Sequence, residues 1–247
     1  MVVSAGSLQE PAVDTASVLH LSVLRGFELT CRGEQVILPP GTQRLLALLA
    51  LHDRPVLRLY VAGTLWTEAS EERSTANLRS ALWRMRRSRL PLVHCFGEHL
   101  QLHPGMVVDL RQIEVVARAA LRSGTGSPEL EQLDIELLTA DLLPDWYEDW
   151  VLVERERFRQ LRLHALEVLC EHLVKQGRFA LAVEAAIAAV QAEPLRESAQ
   201  RALIAAHLAE GNLGEAIHQY NVYARLLSRE LSLEPSSRMQ ELVRAAH

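Results

Sequence analysis

Three pairs of residues in the last third of the chain stand the same distance apart. Leu169 and Leu203, Gly177 and Gly211, and Ala182 and Ala216 are each separated by 34 residues. That period belongs to stacked pairs of helices, because two helices with their turn and link use about 34 residues before the register starts again. In the first unit Leu166, Leu169, Leu173, Gly177, Ala182, Ala186, Ala189 and Pro194 occupy the expected large, small and breaker positions. Leu203, His207, Gly211, Ala216, Tyr220 and Tyr223 continue into the next, where Ser228 replaces the expected proline. A weaker unit is expected to precede them, from Gln112 to Thr139, interrupted by the polar Ser123 to Ser127 link. Such units stack to bury their apolar faces, and the stack presents a concave surface whose usual role is to bind another protein.

Ahead of the repeats the charge changes sign. The 247 residues carry a formal net charge of -5, yet residues 18–110 hold 11 arginines against 8 acids, while 111–247 hold 15 basic residues against 21 acids. The positive excess is densest from Arg73 to Arg89, which holds six arginines and no acid. On a helical wheel Leu78, Ala81, Leu82 and Met85 form one apolar stripe, as a helix packed on a core requires. Arg73, Ala76, Ser80, Trp83, Arg84 and Arg87 gather opposite, with Asn77 and Arg79 on the flanks. A solvated surface helix normally carries acids at i to i+4 from its basic residues. A guanidinium-rich face without them fits the major groove, where arginine pairs bidentately with guanine or clamps a phosphate.

The surrounding segments supply a frame for that helix. Residues 1–17 are small and polar and read as a disordered tail. Val18 to Leu24 and Phe27 to Leu38 alternate apolar and polar residues around Arg32-Gly33, the pattern of short antiparallel strands. After Pro39, Pro40 and Gly41, Thr42 is placed to cap a core helix from Gln43 to His52, and Leu59 to Trp66 forms a second. The arginine helix is third, and beyond Pro91 a hairpin is expected from Leu92 to Cys95 and His99 to Leu102. Strands, three helices and a hairpin are the order of a winged helix-turn-helix, whose third helix enters the major groove. The chain is therefore read as mainly α with a small β component, a winged helix-turn-helix domain over 18–108 followed by an all-α tetratricopeptide-like repeat domain over 109–247.

Several stretches carry a family resemblance. Thr75 to Arg87 (TANLRSALWRMRR) closely resembles the third helix of the antibiotic regulatory protein (SARP) family of bacterial transcriptional activators. Asp141 to Arg155 (DLLPDWYEDWVLVER) resembles the entrance to their bacterial transcriptional activation domain, and Tyr220 to Pro235 (YNVYARLLSRELSLEP) its last repeat with a Leu-Glu-Pro element. The resemblance spans about residues 18–245 and implies an OmpR-type DNA-binding half followed by the repeat domain. It further implies an activator that sits at direct repeats near a promoter, often of a biosynthetic cluster, and recruits RNA polymerase. The wing departs from the family in having His99-Leu100 where a Gly-Tyr pair is common.

The expected partners are double-stranded promoter DNA, the RNA polymerase holoenzyme, and further copies of the chain as a dimer or a cooperative assembly. Arg73, Ser80, Arg84 and Arg87 are expected to face the groove, and Arg79, Arg86 and Arg89 the phosphates or the helix flanks. Asn77 either reads adenine or caps a neighbouring loop. Trp83 packs on sugar and phosphate, or against the wing or the second domain. Ser74 and His99 complete the expected interface, with Thr42 and Arg44 placed near a helix start where anions are favoured; Arg58, also near a start, reads as solvated surface.

Other chemistries find little support. His94, His99 and His103 are spaced like ligands, but no carboxylate or thiolate completes a set, and Cys31, Cys95 and Cys170 show no metal-site spacing, so no metal or cofactor is expected. Asp141, Asp145, Glu148 and Asp149 crowd beside Trp146, Tyr147 and Trp150, but Asp145 and Glu148 are placed as a helix capping box rather than as catalytic acids. No GxSxG, Walker loop, GxGxxG or HExxH occurs, so no enzyme activity is assigned. Without a stretch of about 18 apolar residues or a signal peptide, the reading is cytoplasmic with no membrane partner. The competing reading is a tetratricopeptide-type interaction adaptor whose front half has weak or lost DNA binding.

Overall fold

The computed structural model describes residues 19–244; the predicted N-terminal tail lies outside them. Strands β1 (Leu19–Ser22) and β2 (Glu28–Cys31) pair antiparallel, and β2 pairs with the short β3 (Glu34–Gln35) across Arg32 and Gly33, both at positive φ. Helix α1 (Pro40–Ala50) follows, then β4 (Val56–Leu57), α2 (Arg58–Leu65) and α3 (Glu71–Arg87). Strands β5 (Val93–Phe96) and β6 (His99–Leu102) form the hairpin, with β4 on the other edge of β6. Then β7 (Met106–Val108) returns to lie parallel to β1, which completes a four-stranded sheet in the order β3-β2-β1-β7.

Helix α1 begins two residues earlier than Thr42. Its N-cap is Pro39 in extended backbone, with Pro40 supplying the preset φ of a first turn. Thr42 is wholly buried inside the helix, so the expected cap is not formed.

The helical half starts without a linker. Val108 ends β7 and Asp109 opens α4 (Asp109–Ser123). Two 3-10 turns, Gly124–Gly126 and Pro128–Gln132, and a five-residue α5 (Ile135–Thr139) follow, so the expected Gln112 to Thr139 unit is no helix pair. Helix α4 packs instead on α6 (Asp149–Lys175), which at 27 residues spans about 40 Å. Helices α7 (Phe179–Ala192), α8 (Glu197–Glu210) and α9 (Leu213–Leu231) stack in sequence, and α10 (Ser237–Arg244) closes the end.

The two glycines of the 34-residue period have the same structural task. Gly177 (φ 73°) and Gly211 (φ 90°) end α6 and α8 in the left-handed region, where a side chain is strained. After each, the next amide reaches back five residues, Arg178 N to Leu173 O at 2.9 Å and Asn212 N to His207 O at 2.8 Å, while the glycine amide reaches back three. This is the Schellman closure of a helix C-terminus.

A single apolar cluster runs from Leu19 through the α1 leucines and α4 to Leu203 and Ala206, and a smaller one lies under α10. The halves are further joined by directed contacts. Leu24 bridges Leu142, with Arg25 N donating to Asp141 O at 2.8 Å and Leu143 N to Val23 O at 2.9 Å. The Asp109 carboxylate accepts from the Val23 and Leu24 amides at 3.0 and 3.1 Å, although its burial raises its pKa above the ordinary value. The Arg111 guanidinium donates to the carbonyls of Leu49, Ala50 and His52 at 2.7–3.0 Å, closing the C-terminus of α1. Phe27 stacks on Trp146 with ring centroids 5.9 Å apart.

The segment between α4 and α5 is tied to α6 by a polar knot. Glu131 accepts from Gln176 Nε2 at 2.6 Å and Arg178 Nη1 at 2.8 Å, and its carboxylate lies 3.1 Å from His172 Nε2. These contacts hold its carboxyl at about 2, against an ordinary 4.5. A depressed carboxylate contributes stability that is fully present above its unfolded value and lost as pH falls through the folded one. Thermal melts followed by circular dichroism therefore show wild type above Glu131→Gln at pH 6. The gap closes between pH 4.5 and 2, and a gap that persists at the acid end refutes the assignment.

Among the described residues no helix is long and apolar enough to cross a membrane, and no group of three or more His, Cys, Asp or Glu is placed to hold a metal ion.

Candidate DNA interface

Helix α3 is positioned by its buried stripe. Ser74, Leu78, Ala81, Leu82 and Met85 face inward, and the helix packs on α2 and α1. The Ser70 hydroxyl caps it, accepting from Arg73 N at 3.4 Å. Glu71 and Glu72 occupy the first turn, so the helix is not free of acids as the span from Arg73 implied. There they complement the helix dipole, as do Arg84, Arg86 and Arg87 in the last turn.

The outward face of α3 presents Arg73, Arg79, Ser80, Trp83, Arg84, Arg86 and Arg87 to solvent, with Asn77 half-buried. None of these arginines forms an ion pair among the described residues. Arg89 follows the helix in left-handed backbone at φ 58°, outside the regular face. Trp83 is 58% exposed, and the Arg87 guanidinium lies over its ring, 5.0 Å from the centroid. The Ser80 hydroxyl turns back to the Ala76 carbonyl at 3.0 Å.

Three of the expected contact residues are placed elsewhere. Thr42 is fully buried and cannot reach a phosphate. Ser74 is also buried, its hydroxyl donating to Glu71 O at 2.9 Å within the helix. Arg44 is half-buried and pairs with Glu148 at 2.9 Å, across the junction between the halves. The same pair displaces the expected capping box. Glu148 is the N-cap residue of α6, but no side-chain cap bond forms there because its carboxylate is turned to Arg44.

The wing is the β5–β6 hairpin. His99, half-buried, stacks on Phe96 at 6.0 Å, and His94 tilts against the same ring at 5.2 Å. Arg58, expected as solvated surface, anchors the wing tip: its Nε donates to Gly97 O at 3.1 Å and its amide to Glu98 O at 2.8 Å. The β4 pairing with β6 places it there, a long-range contact that local sequence patterns do not encode.

A sheet-framed three-helix module with an exposed arginine face on the third helix and a hairpin behind it, continuous with stacked helices, defines a winged-helix regulator with a helical-repeat partner domain. Residues 108–246 match the family model of the bacterial transcriptional activator domain, and the chain belongs to that family. It is of the antibiotic regulatory protein type that its third helix and Leu-Glu-Pro ending resemble. Regulatory protein AfsR of Streptomyces coelicolor is 27% identical over 239 residues, covering 93% of this chain and 24% of AfsR. The chain thus spans about a quarter of that curated relative. A solved structure, Mycobacterium tuberculosis EmbR in complex with low affinity phosphopeptide, aligns with a TM-score of 0.75 at 18% identity, over 93% of this chain and 65% of EmbR. That likeness shows a shared fold.

Proposed function

We propose that the protein is a sequence-specific DNA-binding regulator that activates transcription in the cytoplasm by sitting on promoter direct repeats and recruiting RNA polymerase, for genes such as a biosynthetic cluster. Residues 18–108 read the DNA, and 109–247 contact the polymerase holoenzyme and neighbouring protomers. The observation that carries this reading is the solvent-facing arginine face of α3, whose arginines form no ion pair among the described residues. In the bound state Arg73, Arg84 and Arg87 reach base edges, while Arg79, Arg86 and Arg89 meet phosphates. Asn77, half-buried, lies at the edge of that contact, and His99 supports the wing rather than the groove face.

The test is nuclease footprinting of the full chain on the DNA flanking its own gene, at low salt and again near 0.15 M. The expected result is protection of two tandem half-sites about one helical turn apart, centre to centre. Absence of protection at low salt refutes DNA binding and leaves the adaptor reading. Protection without sequence register refutes specificity. Run-off transcription from the same template then separates activation from mere occupancy.

A further inference from the structure

The middle of the arginine face of α3 holds two apolar side chains, Ala76 and Trp83. Ala76, Arg79, Ser80, Trp83 and Arg84 line a shallow depression there. Its two charged members stand at the sides. The Ser80 hydroxyl is engaged by Ala76 O at 3.0 Å, so Ser80 offers little to a new acceptor. Arg87 covers one face of the indole and holds Trp83 in place while leaving the ring 58% exposed. More than half of the indole thus stays in water, on a helix that already carries five arginines.

We propose that this depression receives the 5-methyl group of a thymine. The inference rests on the reading of α3 as a major-groove helix and specifies what the centre of that helix recognises. In the major groove the methyl is the one apolar feature a base pair offers, and it marks thymine apart from the other three bases. An indole edge and an alanine methyl have the chemistry to cover it. The flanking Arg79 and Arg84 guanidiniums point to acceptor-rich neighbours, phosphate or guanine, on either side of that thymine. A contact of Trp83 with deoxyribose alone is the rival outcome, and it predicts no dependence on the methyl.

The experiment selects binding sites for the full chain from random duplex DNA, then replaces each thymine of the enriched site singly with deoxyuridine, which removes only the methyl. For wild type, one position weakens by about fourfold, the worth of one buried carbon. For Trp83→Ala the thymine and deoxyuridine sites bind equally, both more weakly than wild type binds thymine. An enriched site without thymine, or wild-type affinity unchanged at every replaced position, overturns the proposal. So does a methyl dependence that survives in Trp83→Ala, or an equal loss on both sites with no dependence in wild type. Failure to enrich any site removes the DNA-reading function itself, and this proposal with it.

Discussion

Replacing Arg84 and Arg87 together by alanine lowers affinity for the protein's own site by roughly 100-fold or more near 0.1 M salt, since each specific arginine contact is worth about 1–3 kcal/mol. Both side chains are exposed and unpaired among the described residues apart from the Arg87 contact with Trp83. Their removal therefore leaves the melting curve close to wild type, as surface substitutions away from packing do. Discrimination against random DNA falls with the affinity. Alanine at Arg79 and Arg86 behaves differently, weakening specific and random DNA alike and flattening the dependence of log affinity on log salt by about one unit per lost phosphate contact. Gel-shift titrations at several salt concentrations check both patterns. Unchanged affinity and salt slope in the Arg84, Arg87 double variant would remove α3 from the interface.

The second large effect is on folding. Arg111→Ala destabilises the protein by about 3 kcal/mol, because three carbonyls at and beyond the C-terminus of α1 lose a charged donor in a half-buried place. For a chain of this length that lowers the melting temperature by roughly 6–12 °C. Arg111→Lys recovers only part of the loss, since a single ammonium cannot reproduce the guanidinium fork. Scanning calorimetry is expected to show one transition in each variant, because the apolar cluster is continuous through both halves. Two separate transitions in wild type, or no shift in Arg111→Ala, contradict this account. DNA affinity per folded molecule stays unchanged in these variants, which sets them apart from those on α3.

Much of this molecule is written in short-range signals. The 34-residue period was legible because Gly177 and Gly211 each perform one local task, closing a helix in left-handed backbone. The apolar stripe of α3 was legible for a similar reason, since its buried residues recur at helical spacing. Long-range contacts decided what was misread. Nothing near Glu148 signals that Arg44, over a hundred residues earlier, takes its carboxylate from the helix end. Thr42 has the composition of a cap, but Pro39 and Pro40 start the helix before it and turn it into the core. Met106 to Val108 owes its strand to the parallel pairing with β1, more than eighty residues earlier in the chain. Arg155 belongs to the same class. It donates to Leu142, Leu143 and Trp146 carbonyls at 2.5–2.9 Å and thereby pins the turn that carries the Phe27 stack.

The passage from Val108 directly into Asp109 has a geometric outcome. With β7 locked into the first sheet and α4 packed on α6, the proposed seating of α3 in the major groove would fix the azimuth of the repeats around the DNA axis. Protomers on the proposed tandem half-sites would then inherit the pitch of the duplex as their own angular interval. Half-sites one turn apart would put the repeats on the same side of the DNA, and an added half turn would put them on opposite sides. The double helix would then act as a protractor for whatever the repeats must touch.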